Sequence, residues 1–472
     1  MKENTLEIEN FGEINQAKID INKINVVGGI NGSGKTTASK VLYSFLVSDS
    51  NDADAIYLKE LIKSLNELYD NIYHIKRFKN ENMKTYYTDT FPQLMLIRAF
   101  CKNVSLLSDL NDENFHNYKQ HFRYGGRKML ENFENYSFID LEKKFLENLK
   151  NLKHEVLSSK NLIDSISYVI DLFKALENNE NQNEKIFCLA LYNEFAEDES
   201  FFKNNENSKL KFIDKKEKLN NEKKKYFNGI EIDFNTETVI NDIFYMETPS
   251  LLDFSDPNNI SIYRSYKNKF SYPQEFLIKK LYSENNSNPI LKEESDDKNL
   301  DPLQLINNVI KGHFYSEEKI NKEIRFKYGE NASHIKNTAS GVKDIGILQL
   351  LLEKGVDSNS CIIIDEPEVH LHPEWQVALA EIIVVLSKFE DITFYINTHS
   401  PLFIEAISTY GLYHKMNEDV SFFLSEKDET KGYNIIQVDN NDTKKTFKHL
   451  NKGYEILDKV TGEMHANDIL KR

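Results

Sequence analysis

Cysteine is almost missing from this chain of 472 residues: only Cys101, Cys188 and Cys361 occur, far apart and without Cys-x-x-Cys spacing. Neither a disulfide framework nor a zinc site follows, and a reducing cytoplasm is the expected compartment. Glycine and proline are scarce too, at 17 and 9. Together they make about half the usual share of roughly 12%, which favours long helices over a turn-rich β protein. No apolar run approaches the ~18 residues that a membrane span needs. The opening Met1-Lys2-Glu3-Asn4-Thr5 also lacks a charged-then-apolar signal pattern, so a soluble protein with no membrane partner is expected. Positive charge is in deficit. The net charge of −16 argues against a surface coated for non-specific nucleic-acid binding, although a local basic groove would be hidden in that sum.

What the chain does have is a loop. Residues 26–37, Val-Val-Gly-Gly-Ile-Asn-Gly-Ser-Gly-Lys-Thr-Thr, fit the phosphate-loop pattern Gly-x4-Gly-Lys-Ser/Thr from Gly29 to Thr36. Ile24, Val26 and Val27 read as a short buried strand before it, and Ala38, Val41, Leu42, Phe45 and Leu46 as a helix after it. Gly29, Asn31, Gly32, Ser33 and Gly34 then aim successive N–H groups inward at the start of a helix, where the dipole favours an anion. Lys35 is placed to neutralise phosphate, the Thr36 hydroxyl to hold Mg2+, and Thr37 to continue the cradle.

Ahead of this loop, Leu6 to Ile21 alternate as two antiparallel strands, either covering a nucleotide or forming an ordinary sheet edge. Residues 1–47 are expected as the first block of a catalytic head. Residues 48–321 are expected as a mainly helical insert, with Phe145 to Phe173 spaced like half of a coiled-coil hairpin. Lys209 to Lys225 holds eight lysines against Asp214, Glu217 and Glu222, and is read as a solvated helix face in preference to a nucleic-acid contact. Residues 322–440 are expected as the second block: a hairpin around Gly329, a helix from about Ser340, an apolar strand from Cys361 ending in Asp365-Glu366, a further buried strand from Ile392 to Ile396, and two late strands closing the sheet. Residues 441–472 read as a polar tail.

A phosphate loop paired with an apolar strand ending in two carboxylates points to phosphoryl transfer. Asp365 is assigned the metal and Glu366 the attacking water. His399 follows the next buried strand, within reach of a γ-phosphate across the carboxyl edge of the sheet.

The order GGINGSGKTT, ASGVK, IIIDEPEVHLHP, INTHSP resembles the ABC-type ATPase domains of the SMC/RecF/OLD group, over about 150 residues in the blocks 1–47 and 322–440. The fold this implies is α/β: a P-loop NTPase with an ABC-type head, a mixed sheet with flanking helices, and a large helical insert. The resemblance implies ATP and Mg2+ as cofactors, and a head-to-tail homodimer with two ATP molecules sandwiched between subunits. Ser340 and Gly341, the matching part of the signature motif, would cap the γ-phosphate held by the partner, with Lys343 adding a charge. Val342 and Lys343 depart from the transporter pattern, and His372 stands where the group usually has Asp. A metal-contacting Gln is expected early in the insert, and Gln93 is the only guess.

Two functions follow from the resemblance. The first is the ATPase of a bacterial antiphage defence system, similar to the AriA, PtuA or AbiLi type of OLD-like ATPase. Its nuclease or toxin would be a separate effector, because too few residues follow the last strand for a Toprim domain. The second is a RecF-like repair factor binding DNA across the closed dimer. A tight-binding scaffold that barely hydrolyses ATP is a third, non-enzymatic reading.

Overall fold

The computed structural model of the chain describes residues 4–50, 182–195, 198–214, 225–235, 240–247, 270–283, 301–316, 324–356, 358–429 and 432–440, with isolated positions between them. The chain divides into two units, Met1–Asn51 with Ala190–Arg472, and Asp52–Leu189. Of the second, helical positions between 53 and 67 and the first residues of the helix Gln182–Glu194 are described. The expected coiled-coil half at 145–173, Gln93 and most of the tail 441–472 lie outside the described residues.

The first unit is built on one eleven-stranded sheet. Its strands are β1 (Asn4–Phe11), β2 (Ile14–Asp20), β3 (Ile24–Gly29), β4 (Lys209–Asp214), β5 (Lys225–Phe227), β6 (Ile230–Asn235), β7 (Ile243–Met246), β11 (Cys361–Asp365), β12 (Thr393–Thr398), β13 (Val420–Lys427) and β14 (Tyr433–Val438). They lie in the order β5-β6-β4-β1-β2-β14-β13-β3-β12-β11-β7. From β13 to β7 every pairing is parallel, so β3, β12, β11 and β7 all end at one edge. Burial on both faces explains why these strands are runs of Val, Ile and Phe with no polar alternation.

Strand periodicity sorts their side chains between two layers. Ile24, Val26, Ile362, Ile364, Phe394 and Ile396 join one core with the helices α4 (Ser340–Glu353), α5 (Pro373–Phe389) and α6 (Pro401–Tyr413). On the opposite face α1 (Lys35–Val47) packs over β3, β7, β11 and β12. Helices α2 (Tyr272–Leu281) and α3 (Pro302–Ile310) add Leu277, Leu281 and Ile306 to the first core. Each such aliphatic side chain contributes roughly 1.5–3 kcal/mol of burial.

Three arrangements differ from the sequence reading. The β1–β2 hairpin is at no edge, because β4 pairs with β1 and β14 pairs with β2. The late strands β13 and β14 do not close the sheet; they join that hairpin to β3 near its middle. Residues 209–246, inside the stretch read as helical insert, supply β4 to β7. Leu210 and Phe212 alternate inward there, and the intervening lysines point out, so the period is two and not 3.6. Lys209 pairs with Glu9 at 2.8 Å and Lys211 with Asp233 at 3.9 Å; residues 215–224 of the lysine run lie outside the described residues.

The hairpin around Gly329 is present as β9 (Ile324–Tyr328) and β10 (Asn331–His334), with β8 (His313–Ser316) as the third strand of a small sheet. It is fastened to α4 by Gln349. The Gln349 side chain accepts from the Phe314 N–H and donates to the Phe314 carbonyl, both at 3.0 Å, as a peptide group would. At Gly346 the Phe314 ring lies against the helix backbone, and an added Cβ would meet it at 2.0 Å. Gly346→Ala should therefore destabilise the protein by about 1–3 kcal/mol through overpacking, read as a lower urea midpoint. Phe314→Leu in the same chain should recover part of the loss.

Candidate functional site

The parallel register decides which residues meet. Asp365 stands opposite Asn397, and Thr398 opposite Gly28, so the ends of β11, β12 and β3 are level at one edge. Gly34, the N-cap of α1, has φ +86, and a Cβ there would meet Ile14 at 2.7 Å; only glycine turns the chain into α1 at this point. The loop leaves Asn31 and Gly32 exposed and buries Ser33, Gly34 and Lys35.

Lys35 lies across the loop, its ammonium donating to the carbonyls of Gly29 at 2.9 Å and Ile30 at 2.8 Å. Burial lowers its pKa, opposed by the charges of Glu366, Asp365 and Glu368. The Thr36 hydroxyl donates to Asp365 Oδ2 at 2.8 Å. Asn397 Nδ2 donates to Asp365 Oδ1 at 2.9 Å and to Ser39 Oγ at 2.9 Å, while Ser39 donates to the Thr36 carbonyl at 3.0 Å. Tyr245 shares a 2.8 Å hydrogen bond with Ser39, completing a buried polar file beneath the loop. Burial pushes the Asp365 carboxyl up, and the hydrogen bonds from Asn397 and Thr36 hold it down.

Glu366 follows with φ +54, a left-handed conformation unusual for a side-chain-bearing residue, held by its N–H donating to the Asn397 carbonyl at 2.9 Å. Its carboxylate is partly exposed and lies 3.6 Å from His399 Nδ1. Lys35, Thr36, Asp365, Glu366 and His399 are thus assembled at one edge. Ser340 and Gly341 belong to a second group. Gly341 packs against the carbonyl of His370, where a Cβ would stand at 2.9 Å, so α4 begins on the loop that follows Glu366. Ser340 is exposed there, whereas Lys343 is buried beside Asp344. Burial raises the Asp344 carboxyl to about 7, against the pull of Lys343. His372 caps α5, its Nδ1 accepting from the Glu374 N–H at 3.4 Å.

Nucleotide and metal fit these residues. Ser33 Oγ is buried in the loop without a hydrogen-bond partner, as a phosphate ligand would be, and the Thr36–Asp365 pair brings a hydroxyl and a carboxylate together. Among the described residues no group of three His, Cys, Asp or Glu forms a metal cage. Mg2+ takes one or two carboxylates and completes its shell with phosphate and water, which the Thr36–Asp365 pair suits.

Sequence reasoning missed Asn397, Glu368 and Glu247. A polar residue inside a buried strand marks Asn397, and the second Glu of Glu-Pro-Glu marks Glu368. Glu247 follows β7, the strand beside β11, and lines a small cavity with Asp365 and Glu366. It accepts from Gln274 at 3.3 Å and lies 3.8 Å from Lys40.

Fold and site together define a P-loop ATPase. The chain belongs to the AAA ATPase domain family, which it matches over residues 1–404. That match bears out the resemblance drawn from the motifs. Among solved structures, the SMC head domain with an extended coiled coil bound to the C-terminal domain of ScpA, from Pyrococcus furiosus, is 10% identical, with 97% of this chain and 98% of that chain covered and a TM-score of 0.31. The SMC head domain with a coiled coil and joint from Pyrococcus yayanosii is 13% identical, covering 88% of this chain and 59% of that one at a TM-score of 0.25.

Behind the site Lys40 of α1 also lies 4.0 Å from Glu194, whose side chain is 2% exposed. Burial raises the Glu194 carboxyl from 4.5 to about 7, with Lys40 opposing. The folded state therefore binds this proton more tightly than the unfolded state. Stability is favoured below about pH 4.5 and falls as pH rises to about 7, by about 3 kcal/mol in all. Glu194→Gln should remove that slope: urea midpoints of variant and wild type should agree near pH 4.5 and diverge in the variant's favour by pH 8.

Proposed function

We propose that this chain binds ATP with Mg2+ and hydrolyses it as the sensor or regulatory subunit of a bacterial antiphage defence system whose effector is a separate protein. The Thr36 to Asp365 hydrogen bond, with Glu366 next in sequence and beside His399, carries the ATPase part of this reading. Bound Mg2+ would neutralise charge on the β- and γ-phosphates, held by Thr36 and Asp365.

The protein's own groups divide the remaining work. Loop N–H groups and Lys35 hold the phosphates, and Glu366 orients a water and takes its proton as oxygen attacks the γ-phosphorus. The bond to ADP breaks as the new one forms, and His399 steadies the γ-phosphoryl oxygens. Exposed Ser340, with exposed Val369 and Ile30 nearby in sequence to the site loops, suits a face that a second copy covers. In the ATP-sandwiched homodimer, Ser340 and Gly341 would cap the partner's γ-phosphate; Lys343 contributes only if it leaves its buried position. The antiphage role rests on the ASGVK and EPEVHLHP wording, and a neighbouring nuclease or toxin reading frame is the context it expects. No helix among the described residues is long and apolar enough to cross a membrane.

Lys35→Ala should weaken ATP binding by roughly 10–100-fold, the loss of charge-assisted contacts. Glu366→Gln should lower phosphate release about 10²–10⁴-fold and trap ATP in a dimer that persists on size-exclusion chromatography. Wild type and Glu366→Gln turning over equally slowly would leave only the scaffold reading. RecF-like repair is the alternative, and the pairing of Lys209 and Lys211 with carboxylates counts against it. It requires DNA affinity that falls steeply between two salt concentrations in filter binding with a non-hydrolysable ATP analogue; flat, negligible retention is the expected result.

A further inference from the structure

The loop from Glu366 to Leu371 is folded so that one of its acidic side chains is turned inward. Glu366 and His370 take φ +54 and +74, and the Val369 and Leu371 N–H groups donate to the Glu366 and Glu368 carbonyls, both at 3.1 Å. Val369 and His370 consequently face out, while the Glu368 side chain is 6% exposed.

Glu368 meets the residue after β12. Its Oε1 accepts the His399 N–H at 2.6 Å and lies 3.1 Å from His399 Nδ1. That ring nitrogen is also 3.6 Å from Glu366 Oε1, so two carboxylates stand at one imidazole edge. The 3.1 Å approach is not aligned as a hydrogen bond: His399 Nδ1 and Glu368 Oε2 are both buried without a partner. Buried polar atoms left unsatisfied are unfavourable, and a rotation of the ring or the carboxylate would join them.

We propose that Glu368 is the positioning residue for His399. By accepting a hydrogen bond from Nδ1–H it orients the ring so that, with both nitrogens protonated in the ATP complex, Nε2–H donates to the γ-phosphate, and it keeps the ring from occupying Glu366, which stays free to hold the attacking water. This rests on the ATPase reading above. Without Glu368, the partner left to Nδ1 is Glu366, and the ring and the base disable each other.

The test separates an acceptor for the ring from a clamp for the backbone. Glu368→Gln keeps one oxygen for the His399 N–H but replaces the second, unpartnered oxygen with a donor. It should unfold at the wild-type temperature, with the KM for ATP within about threefold and kcat lower by roughly 10–100-fold, the usual cost of removing a histidine's orienting partner. Because the two residues act as a unit, Glu368→Gln should cost nothing further in a His399→Ala background. In protein with 15N-labelled histidine holding a non-hydrolysable ATP analogue, the His399 signals, identified by their loss in His399→Ala, should be those of a ring protonated at both nitrogens in wild type and of a neutral ring in Glu368→Gln.

A Glu368→Gln enzyme with wild-type kcat, or losses that multiply in the double variant, would overturn the proposal while leaving the ATPase reading in place. Wild-type protein that releases no phosphate above Lys35→Ala would overturn both.

Discussion

A hydrogen bond 2.8 Å long closes the site across 329 positions of sequence, from the Thr36 hydroxyl to the Asp365 carboxylate. Thr36 lies in the first turn of α1, beyond the loop that follows β3, and Asp365 ends β11; those two strands are not neighbours, because β12 lies between them. Asn397, at the end of that middle strand, spans the gap by donating to Asp365 and to Ser39 of α1. The level register of the three strands is thus a chemical requirement. A slip of one residue in β12 would send Asn397 to the other face of the sheet and leave a buried carboxylate without its donor.

Strain is concentrated just beyond this contact. Glu366 and His370 occupy a backbone region that costs of order 1–3 kcal/mol each for ordinary residues. Glycine would relieve the strain at 366 but remove the carboxylate. The fold retains Glu366 and secures its backbone on Asn397, so the residue that braces the Asp365 carboxylate also holds the strained turn.

Most of this edge is legible in the sequence because its parts are short and local in pattern. Gly-Lys-Thr at a helix start, apolar runs ending in Asp-Glu or Thr-His, and the hairpin around Gly329 each carry a periodicity or a turn signal of their own. The sheet order is not legible in that way. Nothing in Leu6–Ile21 says that β4 from two hundred residues later will cover its outer side, and the lysines of 209–225 mask the alternation of Leu210 and Phe212. Partners set by tertiary register, such as Asn397 for Asp365 and Glu368 for His399, are likewise invisible until the strands are aligned. The inward turn of Lys343 is a packing outcome that motif wording does not encode.

The placement of β7 bears on how the molecule can be shortened. That strand is the immediate neighbour of β11 and carries Tyr245 into the polar file under the phosphate loop. Excision from 48 to 321, the limits suggested by motif blocks, would strip four strands from the sheet and lay bare the flank of the strand that bears Asp365. Removing residues within Asp52–Asn181 instead spares the helix Gln182–Glu194 and leaves that flank covered. A shortened chain should keep β4 to β7.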